Sequence, residues 1–405
     1  MIAVLVCHNG DRWLPEALAA LRALAPRPRH VLAVDTGSTD RTPELLASAA
    51  SGADAVLDGV LTVDAGTGFG DSVRQALDVA LTRWGDPGQW LWLLHDDCAP
   101  EPGCLGVLLN AAELSPSVGM LGPLALDWDD PRLVVEVGLS TDSSGHRQTG
   151  IGPTEVDWES VPGDTGTIDQ GDDREGSGSG RFEQSTFEQS TEVLAVSSAG
   201  ALIRRGTWES LHGFDPALPL VHDDLDFGWR VNRFGQVVLC VPAARLRHAR
   251  AASRGLRPLD AVGSPPGPGL RAVDRAHGMR TLLVNCVTFA FVAGLPRLLV
   301  LSALRALGFL LLRRFTDAGA ELRAARWLAS GRAGLRAARA RRRRTLPRAS
   351  GAVRGLLTSR VTRLRNLLRT GAVSWVRRRI AADAARRFSK RRPRSSPSPP
   401  TARRA

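Results

Sequence analysis

Three acidic clusters and one histidine stand where chemistry would need them. His95-Asp96-Asp97 follows the apolar run WLWLL. Adjacent carboxylates at a strand end repel each other, and a cation or hydrogen-bond donors usually hold such a pair. Hard oxygen ligands suit Mg²⁺ or Mn²⁺, which bridge diphosphate oxygens. His222-Asp223-Asp224-Leu225-Asp226 opens a helical pattern. Aspartate caps helices as a matter of course, but three carboxylates in four residues exceed what capping requires. One of them is available as a general base. Asp35 closes the run HVLAVD and can accept hydrogen bonds from a base or a sugar, although aspartate is also an ordinary turn former. His248 follows a further apolar strand. Read alone it is a surface or core residue; as a neutral imidazole it could complete a metal site with Asp97. Gly66-Thr67-Gly68-Phe69-Gly70 is a weak phosphate-loop signal, without the GKS/T ending or the strand-adjacent GxGxxG register.

These residues need strands and helices to position them. Residues 2–7 are an apolar run ending in the turn chemistry of His8-Asn9-Gly10. Apolar spacing predicts a helix over 13–24, a strand over 30–35 and a helix over about 41–51. A short third strand is expected at 53–57, a helix at 71–83 and a fourth strand at 90–95. Such alternation predicts an α/β fold with a mostly parallel sheet and flanking helices. Ligands of these sheets sit at the carboxyl ends of the strands. Asn9, Asp35 and Asp96-Asp97 would share that edge. Residues 140–192 are rich in Gly, Ser, Asp and Glu and repeat FEQST, which predicts a flexible insertion. A strand-rich segment at 193–205, a helix from about Asp224 and a strand at 236–242 follow.

Charge divides the chain. Residues 1–240 hold 15 basic and 36 acidic side chains, a net of −21; the rest hold 38 and 5, a net of +33. That asymmetry predicts an acidic folded domain and a basic tail with an anionic partner. The one lysine, Lys390, and the absence of tyrosine are read as compositional bias. Five cysteines without CxxC spacing argue against a disulfide framework or structural zinc and for a reducing compartment. The chain opens on an apolar strand without a basic leader, so the N-terminal domain is expected in the cytosol. Residues 251–280 read as a linker. Residues 281–315 read as apolar membrane-associated helices, interrupted at Pro296-Arg297 and Arg305, and either an interfacial hairpin or one imperfect span fits them. Residues 316–405 read as an Arg-rich helical tail of interfacial type, ending in disorder.

VLVCHNGDRWLPEALAAL, VDTGSTDRT, LWLLHDD and GFDPALPLVHDDLDFGWR, in this order, resemble the family 2 inverting glycosyltransferases of GT-A fold, of the actinobacterial cell-envelope type. The resemblance covers residues 1–250. It implies a nucleotide-sugar donor (UDP- or dTDP-sugar), a glycan or lipid-linked acceptor and a Mn²⁺ or Mg²⁺ cofactor. It places Asn9 and Asp35 in the nucleotide pocket, Asp96 on the ribose or diphosphate, and Asp97 with His248 on the metal. Ser198 and Gly200 would line the donor-sugar and acceptor region. Asp224 would be the catalytic base, with Asp223 the second choice. His95 stands where the family's DxD-like motif begins with a carboxylate, and Asp223 where it has glutamate. The expected setting is a membrane surface of anionic lipid, with the catalytic domain on its cytoplasmic side. Two other classes compete. A nucleic-acid-binding protein would use the tail's charge, but aromatic residues rarely alternate with its arginines. A non-catalytic nucleotide-sugar-binding scaffold would have no need of intact acidic clusters.

Overall fold

A computed structural model describes residues 1–150, 190–257, 270–347 and 353–358. The elements in chain order are β1 (Ile2–Cys7), α1 (Leu14–Ala23), β2 (His30–Asp35), α2 (Thr42–Ala49), β3 (Gly59–Thr62), α3 (Phe69–Trp84), β4 (Trp90–His95), β5 (Cys98–Pro100), α4 (Cys104–Leu114) and β6 (Val118–Asp127). There follow β7 (Val134–Glu136), β8 (Ser140–Thr141), β9 (Arg147–Gln148), β10 (Thr191–Glu192), β11 (Leu202–Arg204), α5 (Arg205–Ser210), α6 (Asp223–Phe234) and β12 (Val237–His248). Four helices close the described chain: α7 (Leu270–Asn285), α8 (Thr288–Leu311), α9 (Phe315–Ser330) and α10 (Arg332–Thr345).

The main sheet runs β10-β12-β6-β11-β4-β1-β2-β3. β3, β2, β1 and β4 are mutually parallel, as are β6 and β12. β11 runs antiparallel between β4 and β6. The carboxyl ends of β1, β2, β4, β6 and β12 therefore lie on one edge, and these ends carry His8, Asp35, His95, Asp127 and His248. The α/β expectation of a mostly parallel sheet is met. The strands read as unbroken apolar runs because both faces are covered. Ala3, Leu5 and Cys7 face the core under α1, α2 and α4, while Ile2 and Val4 face the core under α3 and α6. Cys7, Cys98, Cys104 and Cys240 are buried free thiols.

Several elements differ from the sequence reading. The third strand is Gly59–Thr62, not 53–57, because these residues hold the parallel register with Leu32–Asp35. The strand-rich segment expected over 193–205 holds a single β-bridge at Ala195 and the strand Leu202–Arg204, parted by the left-handed turn at Gly200, φ 92°. The last strand of the sheet runs on past residue 242 to His248. Helix α4 and the wholly buried strand β6 carry no signal that the sequence reading used. Residues 140–150 of the expected flexible insertion form the β8–β9 hairpin; residues 151–189 lie outside the described residues. α7 begins inside the expected linker, and α8 is one helix running through Pro296. The boundary expected near residue 250 is not a break in packing, because one compact unit spans Met1–Thr358. The tail beyond residue 358 lies outside the described residues.

Candidate active site

His95, at the last position of β4, Asp97, just past it, and His248, at the end of β12, meet at the carboxyl edge. One ligating atom from each lies within 4.8 Å of the others. His248 Nε2 is 3.5 Å and His95 Nδ1 3.8 Å from Asp97 Oδ1. The other Asp97 oxygen accepts from the Ala251 amide at 2.8 Å. Burial pushes the Asp97 carboxyl up, but His248, by charge and hydrogen bond, together with His95 and the Ala251 amide, outweighs it and holds Asp97 well below the usual carboxylate range. Burial lowers His95 to about 4, so its imidazole is neutral at physiological pH and free to ligate. Two imidazole nitrogens and a carboxylate oxygen form a donor set for a divalent transition-metal ion, whereas Mg²⁺ takes oxygen ligands. His95 joins the expected pair of Asp97 and His248 as a third member, from the position where the family's motif begins with a carboxylate.

Beside this cluster lies a cavity of about 170 Å³ lined by Cys7, His8, Thr36, Phe69, His95, Asp96, Ser198, Asp223 and Arg257, among others. Typical ligand pockets run to about 300–1,000 Å³, so this space holds only part of a ligand of that size. Asp96 accepts from the His8 amide at 2.9 Å and from Arg257 at 2.7 Å. Burial raises its carboxyl to about 6 in spite of Arg257. Arg257 also lies over the Trp13 ring, 5.2 Å from its centroid. Its place in a Pro/Gly/Arg stretch gave the sequence reading no signal.

Asp223 and Asp224 open α6, which is entered through His222 in a left-handed conformation, φ 66°. Such strain persists only where surroundings hold it; here Asp274 of α7 meets His222 Nε2 at 3.0 Å. The two aspartates have separate environments. Asp223 lines the cavity, and burial together with the Asp224 charge pushes it up to about 7. Asp224 is gripped by Arg147 of β9, whose Nη1 is 2.8 Å from each carboxylate oxygen. Arg147 also reaches Glu136 at 3.3 Å. Asp226 points into the interior, to Arg230 at 2.9 Å and to Arg342 of α10 at 2.7 Å. Arg147, Glu136 and Arg342 join this helix from segments remote in sequence, which no local pattern reveals.

The remaining residues of the sequence reading sit around the cavity or behind it. Ser198 lines it and meets His95 Nε2 at 3.0 Å. Gly200 does not: it lies in the turn before β11, its amide donating to Leu93 O at 2.8 Å, and a Cβ there would strike Leu246 at 2.2 Å. Asn9 braces the neighbouring turn, accepting from the Thr39 amide at 2.8 Å. Asp35 accepts from the Ser38 amide at 3.2 Å, and its neighbour Thr36 lines the cavity instead.

Residues 1–260 match the family described as "Glycosyltransferase like family 2". N-acetylglucosaminyl-diphospho-decaprenol L-rhamnosyltransferase of Mycobacterium tuberculosis is 27% identical over 261 residues, covering 63% of this chain and 78% of that protein. Among solved structures, S. aureus TarS 1–349 in complex with UDP aligns over 85% of this chain and 88% of its own, with TM-score 0.42 and 14% identity. GalNAc-T7 with UDP, GalNAc and Mn²⁺ aligns over 70% of this chain and about half of its own (48%), with TM-score 0.47 and 15% identity. Since the match runs through every strand end that builds the cleft, the chain belongs to glycosyltransferase-like family 2 and is a glycosyltransferase.

Proposed function

We propose that this enzyme moves a sugar from a nucleoside-diphosphate donor to a cell-envelope glycan or lipid-linked acceptor, with inversion and with a divalent cation. The observation that carries this reading is the His95–Asp97–His248 cluster beside a cavity bearing Asp96 and Asp223. Asp96, Asp97, Asp223, Asp224 and Glu136 outnumber Arg147 and Arg257 there. A cleft so acidic repels a diphosphate unless a cation joins it. A bound divalent ion would be held by His95, Asp97 and His248, and would supply charge neutralisation for the departing diphosphate. The protein's own groups do the rest. Arg257 can turn from Asp96 to a diphosphate oxygen, and Phe69, Thr36 and Ser198 shape the donor pocket. Asp223, rather than the first-choice Asp224, takes the proton of the acceptor hydroxyl as that oxygen attacks the anomeric carbon. Its place on the cavity favours it, and so does its pKa of about 7, whereas Asp224 is committed to Arg147. Attack from the face opposite the leaving group inverts the anomeric centre in a single displacement.

The similarity to a rhamnosyltransferase named for a diphospho-decaprenol acceptor favours a lipid-linked acceptor and a site beside a membrane. The apolar helix α8 supports the same setting; the side proposed for the catalytic unit is the cytoplasmic one. The test is nucleoside-diphosphate release from a panel of UDP- and dTDP-sugars in the presence of polyprenyl-diphosphate-linked sugar. Turnover with Mn²⁺ that stops with EDTA and in His248→Ala is expected. Turnover indifferent to EDTA removes the metal, and no release from any donor removes the donor class.

A further inference from the structure

The outward face of α8 is a feature that the cleft does not use. Gly294, Leu298, Ser302 and Ala306 are buried at every fourth position and face the protein. Ser302 Oγ lies 3.8 Å from Met279 Sδ of α7, and a Cβ at Gly294 would lie 3.1 Å from Leu283. The opposite face presents Phe289, Val292, Val300, Leu304, Leu307 and Leu311, each between 54% and 83% exposed. The one arginine among them, Arg297, is drawn aside to donate to Ser143 O. Exposed arginines follow at the end of α8 and along α9: Arg313, Arg314, Arg323 and Arg326.

We propose that this face docks on an anionic lipid bilayer with α8 lying in the plane of the interface, not across the membrane. Length does not decide between the two, because 24 residues reach about 36 Å, enough to cross a hydrocarbon core. The packed face decides it. Arg305, in the second half of α8, lies 3.3 Å from His146 Nε2 and 4.0 Å from Glu321 of α9, which in turn meets Arg275 of α7 at 3.3 Å. A spanning α8 would carry these charges and the irregular backbone of residues 142–146 into hydrocarbon, where both are costly. Lying flat, the helix buries its apolar stripe and leaves the ionic side in water, as interfacial helices do. Arg313, next in the chain after the exposed Leu311 and Leu312, then meets lipid phosphates. The turn that Arg297 and Arg305 hold leads directly into Arg147, the residue on Asp224, so the docked face sets the cleft beside the bilayer surface. This inference concerns how the chain meets lipid and stands apart from the identity of donor and acceptor.

Depth measurement on the full chain tests it. With Cys286→Ser, single cysteines Phe289→Cys, Val300→Cys and Leu311→Cys take an environment-sensitive label, while the four other native cysteines are buried. On phosphatidylglycerol vesicles all three labels should enter an apolar environment. Lipids spin-labelled near the headgroup should quench them equally. Quenching of the Val300→Cys label mainly from the bilayer centre, with the two ends shallow, means a span and overturns the proposal. So does dimerisation without lipid that buries the same labels, or binding to phosphatidylcholine as tight as to phosphatidylglycerol. Leu304→Glu with Leu307→Glu should weaken vesicle partitioning by about tenfold or more at an unchanged melting temperature; unchanged partitioning overturns the assignment of this face.

Discussion

Replacing Asp223 by asparagine separates the two aspartates of α6. The Asp223 carboxylate lines the cavity, and burial beside Asp224 pushes it up to about 7. A base titrating there is half ionised at neutral pH and strong enough to share a proton in the transition state. Asparagine keeps the shape and removes the proton acceptor. General-base assistance contributes about 10²–10⁴-fold, or about 3–5 kcal/mol of barrier. Asp223→Asn should therefore lower kcat by that factor, with the donor KM changed by less than about threefold, since the lost interaction belongs to the transition state. Asp224→Asn acts differently. It strands Arg147 with Glu136 as its remaining carboxylate partner, and removing one member of a buried pair costs about 3–5 kcal/mol. Arg147 is a quarter exposed, so solvent screening brings the loss to about 1–2 kcal/mol. It also removes the charge that helps hold the proton on Asp223. The working form of Asp223 is ionised, so the parent rate climbs as pH rises through about 7 and levels off above it. In Asp224→Asn the same climb should come at lower pH. The assay is nucleoside-diphosphate release at saturating donor over about pH 5–9, a span that brackets such a base, with melting curves of each variant. Parent-like turnover in Asp223→Asn, or a larger loss in Asp224→Asn with an unchanged melting temperature, would falsify the assignment.

Two further outcomes follow from contacts that hold the cleft together. Arg342→Ala leaves Asp226 with Arg230 and Asp215 with Arg280 beside a buried void and should cost about 3 kcal/mol at neutral pH, read by thermal or denaturant unfolding. Against burial, the charges of Arg342 and Arg230 hold Asp226 down to about 2. That stabilisation is present above the ordinary carboxylate range and fades as pH falls towards 2, so the variant and the parent should converge in acid; a constant gap would point to packing alone. Gly10→Ala would set a Cβ 2.2 Å from Asp96 Oδ2, pushing that carboxylate off the His8 amide and Arg257. Nucleotide affinity by calorimetry should drop about tenfold, ~1.4 kcal/mol; unaltered affinity would show that Asp96 has no part in binding the donor.

What the sequence determined by itself was the part written in local pattern. Continuous apolar runs named β1, β2 and β4 because a strand covered on both faces has no polar side to show. His95-Asp96-Asp97 and Asp223-Asp224 were legible because carboxylates crowded at element ends cost energy without a purpose. Parallel strands then put His8, Asp35 and His95 on one edge. What only the tertiary structure decided was who stands beside whom. His248 reaches Asp97 across 151 positions of sequence because β12 pairs with β5 and β6. The choice between Asp223 and Asp224 rests on Arg147, which arrives from a hairpin inside an apparently featureless insertion. Composition marked the arginines after residue 240 as a basic tail, yet Arg342 and Arg339 are buried in the same unit as α6, where Asp226 and backbone carbonyls receive them. Charge along a chain reports only its sum. Whether a guanidinium faces water, lipid or a carboxylate depends on which surfaces packing brings together, and that is a property of the whole fold.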